Sequence, residues 1–227
     1  VDLFAGCGGL SLGLEQAGFT PWFVNEIVEQ FANTYKANHS LSDKHYFVGD
    51  IASLNEHIND YKEMLDDITL VCGGPPCQGF SMAGKRVEDD VRNQLVFSYI
   101  KFIDLVRPRV ILFENVKGFT FAFDKNKTVK AEPYSVKVIK KLQELGYNVK
   151  PHIIDFSKYG IPQRRNRFIL VGVQEGYGSP ELFEPLLETT KSTFLEEKGL
   201  SEHTSLEEAI SDLLRSNGEA PTPDRKG

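Results

Sequence analysis

The sequence predicts an α/β fold in which helices cover both faces of a largely parallel β-sheet. Over the first 173 residues, short apolar runs that favour strands alternate with segments of helical periodicity. This alternation is typical of parallel sheets, because parallel strands are joined by helical crossovers. A chain of 227 residues with 41% hydrophobic and 26% charged residues can bury one sizeable core. That composition excludes a disordered or fibrous protein.

Seven short apolar runs are the predicted strands. Most are rich in β-branched or aromatic residues and end at glycine, proline or polar residues. The runs cover residues 1–5, 22–26, 45–48, 68–72, 110–114, 148–155 and 167–173.

Two helices are marked most clearly between these strands. Residues 92–106 carry an apolar stripe and end before Pro108; the stripe consists of Leu95, Tyr99, Phe102, Ile103 and Val106. Residues 134–145 form the second helix, which Gly146 is predicted to end in a left-handed conformation.

Two stretches, 73–91 and 121–133, are rich in charge, glycine or proline and are predicted to be irregular. After residue 173 the chain becomes acidic, with amphipathic segments at 180–195 and 206–214. Too few apolar residues remain there for a second core. We therefore expect a cofactor-binding and catalytic domain over 1–173 and an acidic connector over 174–227.

Membrane, secretory and metal signals are lacking in the sequence. No apolar run approaches the roughly 20 residues of a membrane helix, and no basic stretch leads into an apolar one. We expect a soluble, cytoplasmic protein and, since the chain starts without Met, a piece of a longer polypeptide. The three cysteines, Cys7, Cys72 and Cys77, fit neither a disulfide framework nor a zinc site.

The charge is distributed unevenly along the chain. Residues 1–72 hold 3 basic and 11 acidic residues, residues 73–173 hold 18 and 9, and residues 174–227 hold 5 and 12. A basic middle third suggests a face that meets a polyanion such as nucleic acid. The alternative is that these basic residues lie on ordinary solvated helix faces. The charge distribution alone favours this alternative.

The predicted strand ends carry the residues that indicate a ligand, because ligands of open parallel sheets bind there. Gly6 and Gly8 precede a helix that starts near Leu10, and Glu26 follows 20 residues after Gly6, where a ribose-binding acid belongs. Asp50, at the next strand end, could accept a hydrogen bond from an adenine amino group. These features favour an adenosine-containing cofactor. A tight turn without a ligand stays open, since Ser11 replaces the third glycine of the dinucleotide fingerprint.

The simplest interpretation of Cys72 is a small, buried apolar residue at a strand end. Cys77 follows two prolines in a glycine-rich loop and precedes basic residues from Lys85 onward. It is a candidate nucleophile if local positive charge or a coupled proton transfer activates it. An inert loop cysteine is the alternative.

Two further groups are candidates for the chemistry. Glu114 ends an apolar strand, where partial desolvation favours a protonated carboxyl group that can donate; a carboxylate paired with an arginine or capping backbone amides is the alternative. In the run 163–167, Arg165 and Arg167 would project to one face of a strand with Gln163, forming a fork for a phosphate or carbonyl oxygen. A structural ion-pair cluster explains the same residues equally well.

Four motifs, in this order, resemble the DNA (cytosine-5)-methyltransferase family. The resemblance spans residue 1 to about residue 173. The motifs are Asp2-Leu3-Phe4-Ala5-Gly6-Cys7-Gly8-Gly9, Gly74-Pro75-Pro76-Cys77-Gln78-Gly79-Phe80-Ser81, Glu114-Asn115-Val116 and Gln163-Arg164-Arg165-Asn166-Arg167.

The resemblance implies the Rossmann-like fold of S-adenosylmethionine-dependent methyltransferases, with a mostly parallel twisted sheet and an antiparallel strand near its end. It also implies S-adenosylmethionine as cofactor, with S-adenosylhomocysteine as product. The cofactor-binding residues implied are Phe4, Ala5, Gly6, Gly8, Gly9, Leu10, Glu26, Ile27, Asp50, Ile51, Pro76 and Leu95.

The same resemblance implies that Cys77 attacks carbon 6 of cytosine, that Glu114 holds and protonates N3, and that Arg165 positions the adduct. Carbon 5 is too poor a nucleophile until a thiolate adds at carbon 6 and N3 gains a proton. The base that then removes the carbon 5 proton is not evident in the sequence; water is a candidate.

Double-stranded DNA is the implied substrate, with the target base flipped out of the helix. Residues 81–91 would form a lid over the DNA backbone. The implied substrate-binding residues are Ser81, Lys85, Arg86, Asn115, Gln163 and Arg167.

The sequence departs from the family after the arginine motif. The target-recognition region and the last two motifs are not recognisable, although residues 206–213 resemble the connector that leads toward them. We therefore expect a truncated chain or one partner of a split enzyme, with weak or no activity alone. The resemblance implies a role in restriction-modification. The sequence does not give the target DNA sequence or the oligomeric state.

Three alternatives stay open. An RNA (tRNA) cytosine-5 methyltransferase shares the nucleophile and acid motifs, although Gly79-Phe80-Ser81 is closer to the DNA-modifying members. A catalytically weak subunit that needs a partner chain is the second alternative; a wholly inactive regulatory or DNA-binding subunit is disfavoured by the intact Cys77 and Glu114. A Rossmann dehydrogenase is disfavoured by Ser11 and leaves the Pro-Pro-Cys sequence unexplained.

Overall fold

The computed structural model describes residues 1–76, 94–122, 124–126, 129–130 and 132–213. The strands in these ranges are β1 (Asp2–Leu3), β2 (Val24–Glu26), β3 (Tyr46–Val48), β4 (Leu70–Gly73), β5 (Val110–Val116), β6 (Asp124–Asn126), β7 (Val129–Lys130), β8 (Tyr147–Asp155) and β9 (Asn166–Gln174). The helices are α1 (Gly9–Gln16), α2 (Glu29–Asn38), α3 (Ile51–Glu56), α4 (Gln94–Val106), α5 (Tyr134–Glu144), α6 (Phe183–Lys198) and α7 (Leu206–Ile210).

The main sheet has seven strands in the order β3-β2-β1-β4-β5-β9-β8. The first five are parallel to their neighbours, whereas β9 runs antiparallel to β5. The predicted Rossmann-like sheet and its late antiparallel strand are thereby confirmed. Strand order reverses between β1 and β4, the place where open α/β sheets form their ligand crevice.

All seven predicted strands are present, and their bounds lie within about two residues of the predicted ones. β1 contains only two residues because Phe4 adopts a left-handed φ of 57°, which takes the chain out of the sheet. Both clearly marked helices also form. Gly146 has φ 82°, as predicted for the residue that ends α5.

One local prediction was wrong. Residues 121–133 were predicted to be irregular, but β6 and β7 pair there as an antiparallel two-stranded sheet. Charged residues dominate this segment and have weak strand propensity. The pairing therefore left no local signal in the sequence.

The chain divides into two compact units. The first contains residues Val1–Ile153 and Arg167–Phe183, and the second contains Ile154–Asn166 and Glu184–Gly227. The core of the first unit is rich in aromatic rings; Tyr99, Phe113, Phe119 and Phe168 have almost no exposed surface. In the second unit, Gly160 lies against Leu200, and its backbone amide donates to Glu202 O.

Helix lengths and hydropathy also bear on membrane insertion. No helix in the described part of the chain is long and apolar enough to cross a membrane.

Candidate active site

The carboxyl ends of five neighbouring strands form one edge of the sheet. Because β1, β2, β3, β4 and β5 are parallel, the chain segments that follow them leave the sheet on the same side. These segments contain the turn 4–9, Asp50 and residues 74–76, while Glu26 is the last residue of β2 and Glu114 lies near the end of β5. The structure thus places these sequence-predicted residues along one edge.

The turn after β1 depends on left-handed backbone conformations. Phe4, Gly6 and Gly8 have φ of 57°, 56° and 91°. Gly8 N donates to Ala5 O over 3.0 Å, which closes the turn, and α1 begins at the next residue. Glycine populates this region at little cost, so Gly6 and Gly8 permit the tight turn between β1 and α1.

Glu26, at the end of β2, binds this turn directly. Its Oε2 accepts a hydrogen bond from Gly6 N at 2.7 Å, and its Oε1 accepts one from Val28 N at 2.8 Å. The side chain is buried. Each carboxylate oxygen can accept more than one hydrogen bond, so Glu26 can hold the turn and still accept from a ligand hydroxyl.

Asp50 and Ile51 follow β3 but differ in exposure. Asp50 is exposed and caps α3, its Oδ1 accepting from Ala52 N at 2.9 Å. Ile51 is only 2% exposed and belongs to the hydrophobic core. The expectation that Ile51 contacts the cofactor stays a prediction. Ile27 is exposed on the surface next to Glu26.

The remaining cofactor candidates lie near the middle of the sheet. Leu95, on α4, is partly buried and packs against the core, while Pro76 is exposed after β4. Ala5 and Leu10 are partly buried in and after the turn, and Gly9 is exposed.

Asn115 connects β5 to the segment that leads to Cys77. Its Nδ2 donates to Pro75 O over 3.2 Å, and its Oδ1 accepts from Val116 N over 2.8 Å. The residue is 2% exposed. In the structure the Asn115 side-chain amide bonds to backbone and holds the chain two residues before Cys77; the expectation that it also binds substrate stays a prediction.

Glu114 lies beside the same segment and pairs with Arg167. Arg167 Nε is 2.8 Å from Glu114 Oε1, with the two side chains 19% and 31% exposed. The pairing of β5 with β9 sets Val116 opposite Arg167, so Glu114 and Arg167 are diagonal neighbours on one face. A Cβ atom on Gly74 would lie 2.9 Å from Glu114 Oε2. The arginine-paired alternative for Glu114 is therefore the one observed.

Arg165 and Gln163 lie before the strand and not on it. β9 begins at Asn166, and both residues are exposed in the second compact unit. The alternation of side chains along a strand therefore does not align Arg165 and Gln163 with Arg167, contrary to the sequence-based argument. Arg167 is the residue that the strand brings to Glu114.

Four predicted site residues lie outside the described ranges: Cys77, Ser81, Lys85 and Arg86. Their roles stay predictions, as does the lid at 81–91. Among the residues that the structure does describe, no group of His, Cys, Asp and Glu side chains could hold a metal ion.

Sequence reasoning missed a buried polar pair beneath the turn. Ser11 Oγ donates to Asp2 Oδ2 over 2.6 Å, and both residues are buried. Desolvation raises the pKa of Asp2, and the hydrogen bond from Ser11 partly offsets this. The signal was available, because Ser11 stands where the fingerprint has glycine. Cys72 is buried as expected, and burial raises the pKa of its thiol well above the usual value.

The sequence is similar to known proteins over most of its length. A model of the C-5 cytosine-specific DNA methylase family matches residues 1–226. The chain is 38% identical to Type II methyltransferase M.XorII from Xanthomonas oryzae over 204 residues, which are 84% of this chain and 44% of that protein. It is 34% identical to Type II methyltransferase M.DdeI from Desulfomicrobium norvegicum, covering 94% of this chain and 48% of that protein. The chain spans about half the length of these relatives.

Solved structures agree in fold. A putative DNA modification methyltransferase encoded within an E. coli prophage superimposes with a TM-score of 0.62 at 32% identity, over 80% of this chain and 49% of that one. The Dnmt2 methyltransferase of S. pombe superimposes with a TM-score of 0.58 at 25% identity, over 79% and 51%. With the family match over nearly its whole length, the chain belongs to the C-5 cytosine-specific DNA methylase family.

Proposed function

We propose that this chain forms the cofactor-binding and catalytic part of an enzyme that transfers a methyl group from S-adenosylmethionine to carbon 5 of cytosine in DNA. One observation carries the proposal. The Asn115 amide bonds to Pro75 O, and the Glu114 carboxylate lies against Gly74. The acid on β5 therefore adjoins the segment that enters the loop containing Cys77.

The residues at the strand ends fit the proposed cofactor. The turn at Gly6 and Gly8 lets a ligand approach the backbone, and Glu26 has lone pairs to accept from ribose hydroxyls. Asp50 is exposed one strand further on, where an adenine amino group would be bound. When bound, S-adenosylmethionine supplies a methyl group attached to a positively charged sulfur.

Cys77 and Glu114 would activate the cytosine ring together. The Cys77 thiolate forms a bond to carbon 6 while N3 receives a proton from Glu114, which makes carbon 5 nucleophilic. After carbon 5 is methylated, a base removes its proton, the 5,6 double bond re-forms and the thiolate leaves. N3 then returns its proton to Glu114.

Arg167 would set the orientation of the acid. Because Nε holds Oε1 at 2.8 Å, the other oxygen, Oε2, faces Gly74. A hydrogen bond that involves a charged group is stronger than one between neutral groups, so it fixes the orientation of a side chain more firmly. In this arrangement Oε2 carries the proton that N3 receives. The predicted role of Arg165 in positioning the adduct is retained as part of the proposal.

DNA is favoured over RNA as the substrate class. The matched family is defined by DNA methylation, and the curated relative PliMCI from Paracentrotus lividus, 34% identical over 82% of this chain and 12% of that protein, is a DNA (cytosine-5)-methyltransferase by name. Reaction at carbon 6 requires access to the face of the base, so the target must leave the base stack, at a cost of a few kcal/mol.

The test is covalent trapping on 5-fluorocytosine. The chain is mixed with S-adenosylmethionine and a duplex in which 5-fluorocytosine faces a mismatched base, which lowers the cost of flipping. Fluorine cannot leave as the proton does, so a denaturing gel should show a stable protein–DNA adduct. Cys77→Ala should abolish the adduct, and Glu114→Gln should slow its formation about 100-fold or more.

Controls separate the possible outcomes. Cys72→Ala removes a buried thiol that bonds to Val1 O and has no part in the proposed chemistry, so this variant should still be trapped. An adduct that survives in Cys77→Ala would show that another residue is the nucleophile. Faster trapping on fluorinated RNA would favour the RNA alternative. Because weak or no activity is expected of the chain alone, trapping is measured with and without a candidate partner that supplies target recognition. No adduct in either case would contradict the proposal.

A further inference from the structure

A buried histidine lies behind the turn that is proposed to bind the cofactor. His39 follows the last residue of α2, and its side chain is 2% exposed. Its Nδ1 is 2.6 Å from Glu15 Oε2 on α1. Because a carboxylate oxygen can only accept a hydrogen bond, Nδ1 is the protonated ring nitrogen and donates the hydrogen bond to Glu15.

The histidine ring is also held by an aromatic neighbour. His39 stacks on Tyr35, one turn earlier on α2, with ring centroids 4.0 Å apart and planes inclined by 28°. Tyr35 is itself fully buried. The ring of His39 therefore has one orientation, fixed by a hydrogen bond and by a stacked ring.

The rings of His39 and Tyr35 lie directly against Gly8. A Cβ atom on Gly8 would lie 2.3 Å from His39 Nε2 and 2.8 Å from Tyr35 Cδ2, so no side chain fits between the rings and the turn. Gly8 is buried, whereas its neighbours Cys7 and Gly9 are exposed. The contact thus lies on the inner side of the turn, and the outer side faces the region where a ligand would bind.

Two acids therefore fix the turn from different elements. Glu26 binds Gly6 N from β2, and Glu15 holds His39 against Gly8 from α1. Between these two attachments lie the residues at 6–8, two of which have left-handed φ values. A turn in such conformations holds one shape only when its surroundings determine it.

We propose that His39, oriented by Glu15, is a positioning residue that holds the Gly6–Gly9 turn in its ligand-binding conformation. The inference rests on the proposed function, since the ligand is the methyl donor assigned there. His39 touches no reacting atom. It acts through Gly8, so its loss affects cofactor binding and the order of the turn.

His39→Phe tests the proposal, with His45→Phe as a matched control. As whole residues, His39 and His45 are both 6% exposed, and His45 Nδ1 is 2.6 Å from Trp22 O, so the control also replaces a buried histidine that makes a short hydrogen bond, here to a backbone carbonyl. Both variants are measured in the full chain, with urea unfolding to compare their stability. Titration calorimetry gives the Kd for S-adenosylmethionine, and hydrogen exchange of the Gly6, Gly8 and Gly9 amides is followed without ligand.

His39→Phe should weaken binding about tenfold, as expected if the unliganded turn then holds its binding conformation only about a tenth of the time. It should also speed exchange of the turn amides more than His45→Phe does. His39→Asn, whose amide can still donate to Glu15, should recover part of the affinity. His45→Phe should leave the Kd within about twofold.

Equal effects of the two Phe variants on the Kd and on turn exchange would overturn the positioning role. Failure of the unmodified chain to bind S-adenosylmethionine would instead count against the proposed function. In that case the exchange data still decide the role of His39, because they are collected without ligand.

Discussion

At the scale of single residues, Arg167 fixes the position of the acid that the proposed chemistry uses. Its Nε lies 2.8 Å from Glu114 Oε1. Partial exposure of both side chains limits the strength of the pair. The pair therefore orients the carboxyl group without the full electrostatic effect that a buried arginine would have.

Asp2 is the residue whose burial has the clearest effect on stability. Desolvation raises its pKa, so the folded chain holds the Asp2 proton more tightly than the unfolded chain does. The unfolded state then binds fewer protons, and stability falls as pH rises from about 4, the pKa of an unfolded aspartate, through the raised value.

Asp2→Asn should remove this part of the pH dependence. The amide keeps an oxygen that can accept from Ser11 but carries no charge. We measure the free energy of unfolding in urea from pH 4 to pH 8. As pH rises, the value for the variant should increase relative to that of the unmodified chain. Asp66→Asn, at an exposed position, should follow the unmodified chain. Parallel curves for Asp2→Asn and the unmodified chain would contradict the prediction.

At the scale of elements, helix ends are set by single backbone conformations. α5 ends at Glu144, and Gly146, two residues later, has a left-handed φ of 82° and donates from its backbone N to Gln143 O over 2.9 Å. α1, in contrast, contains a glycine with room for a side chain. Gly13 lies inside the helix, and a Cβ atom added there would meet no other atom within 4 Å.

Alanine at these two glycines should change stability in opposite directions. Gly146→Ala forces a side chain into the left-handed region and should lower the free energy of unfolding by about 1 kcal/mol. Gly13→Ala should raise it by about 0.5–1 kcal/mol, because alanine loses less conformational entropy in a helix. Urea unfolding measures both. A stabilising Gly146→Ala would show that the left-handed turn does not limit α5.

At the scale of the whole molecule, several basic residues of the middle third pair with acidic neighbours. The ion pairs join Lys101 and Arg107 with Asp104, Arg109 with Asp67, Lys140 with Glu132, Lys141 with Glu144 and Lys150 with Glu181. For these residues the solvated-face alternative holds. Under the proposed function, contacts with DNA phosphates would come from other basic residues, and Arg164 is exposed before β9.

Arg164→Gln should therefore weaken DNA binding regardless of sequence. If Arg164 contacts a phosphate, the slope of log affinity against log salt concentration should become less steep by about 1. Lys140→Gln, in which an ion-paired lysine loses its charge, serves as the control and should leave the slope unchanged. Fluorescence anisotropy at several salt concentrations measures both. Identical slopes for the two variants would exclude Arg164 from the DNA-binding face.

Much of the fold and part of the candidate site followed from local sequence patterns. The apolar runs determined the seven strands, Gly146 determined the end of α5, and Gly6, Gly8 and Glu26 marked the turn and its acid. These features are local, because strand periodicity, left-handed glycines and strand-end positions are written in consecutive residues. The family resemblance, carried by four short motifs, was likewise readable from the chain.

Only the tertiary structure decided which side chains meet. It brought Arg167 to Glu114, turned the Asn115 amide toward Pro75, buried the Asp2–Ser11 pair and set His39 against Gly8. The partners in these contacts are 9 to 53 residues apart in the chain. Their contact depends on the order and register of strands and on how helices pack against them. Local periodicity determines which elements form, but the register between β5 and β9 decides which arginine reaches the acid.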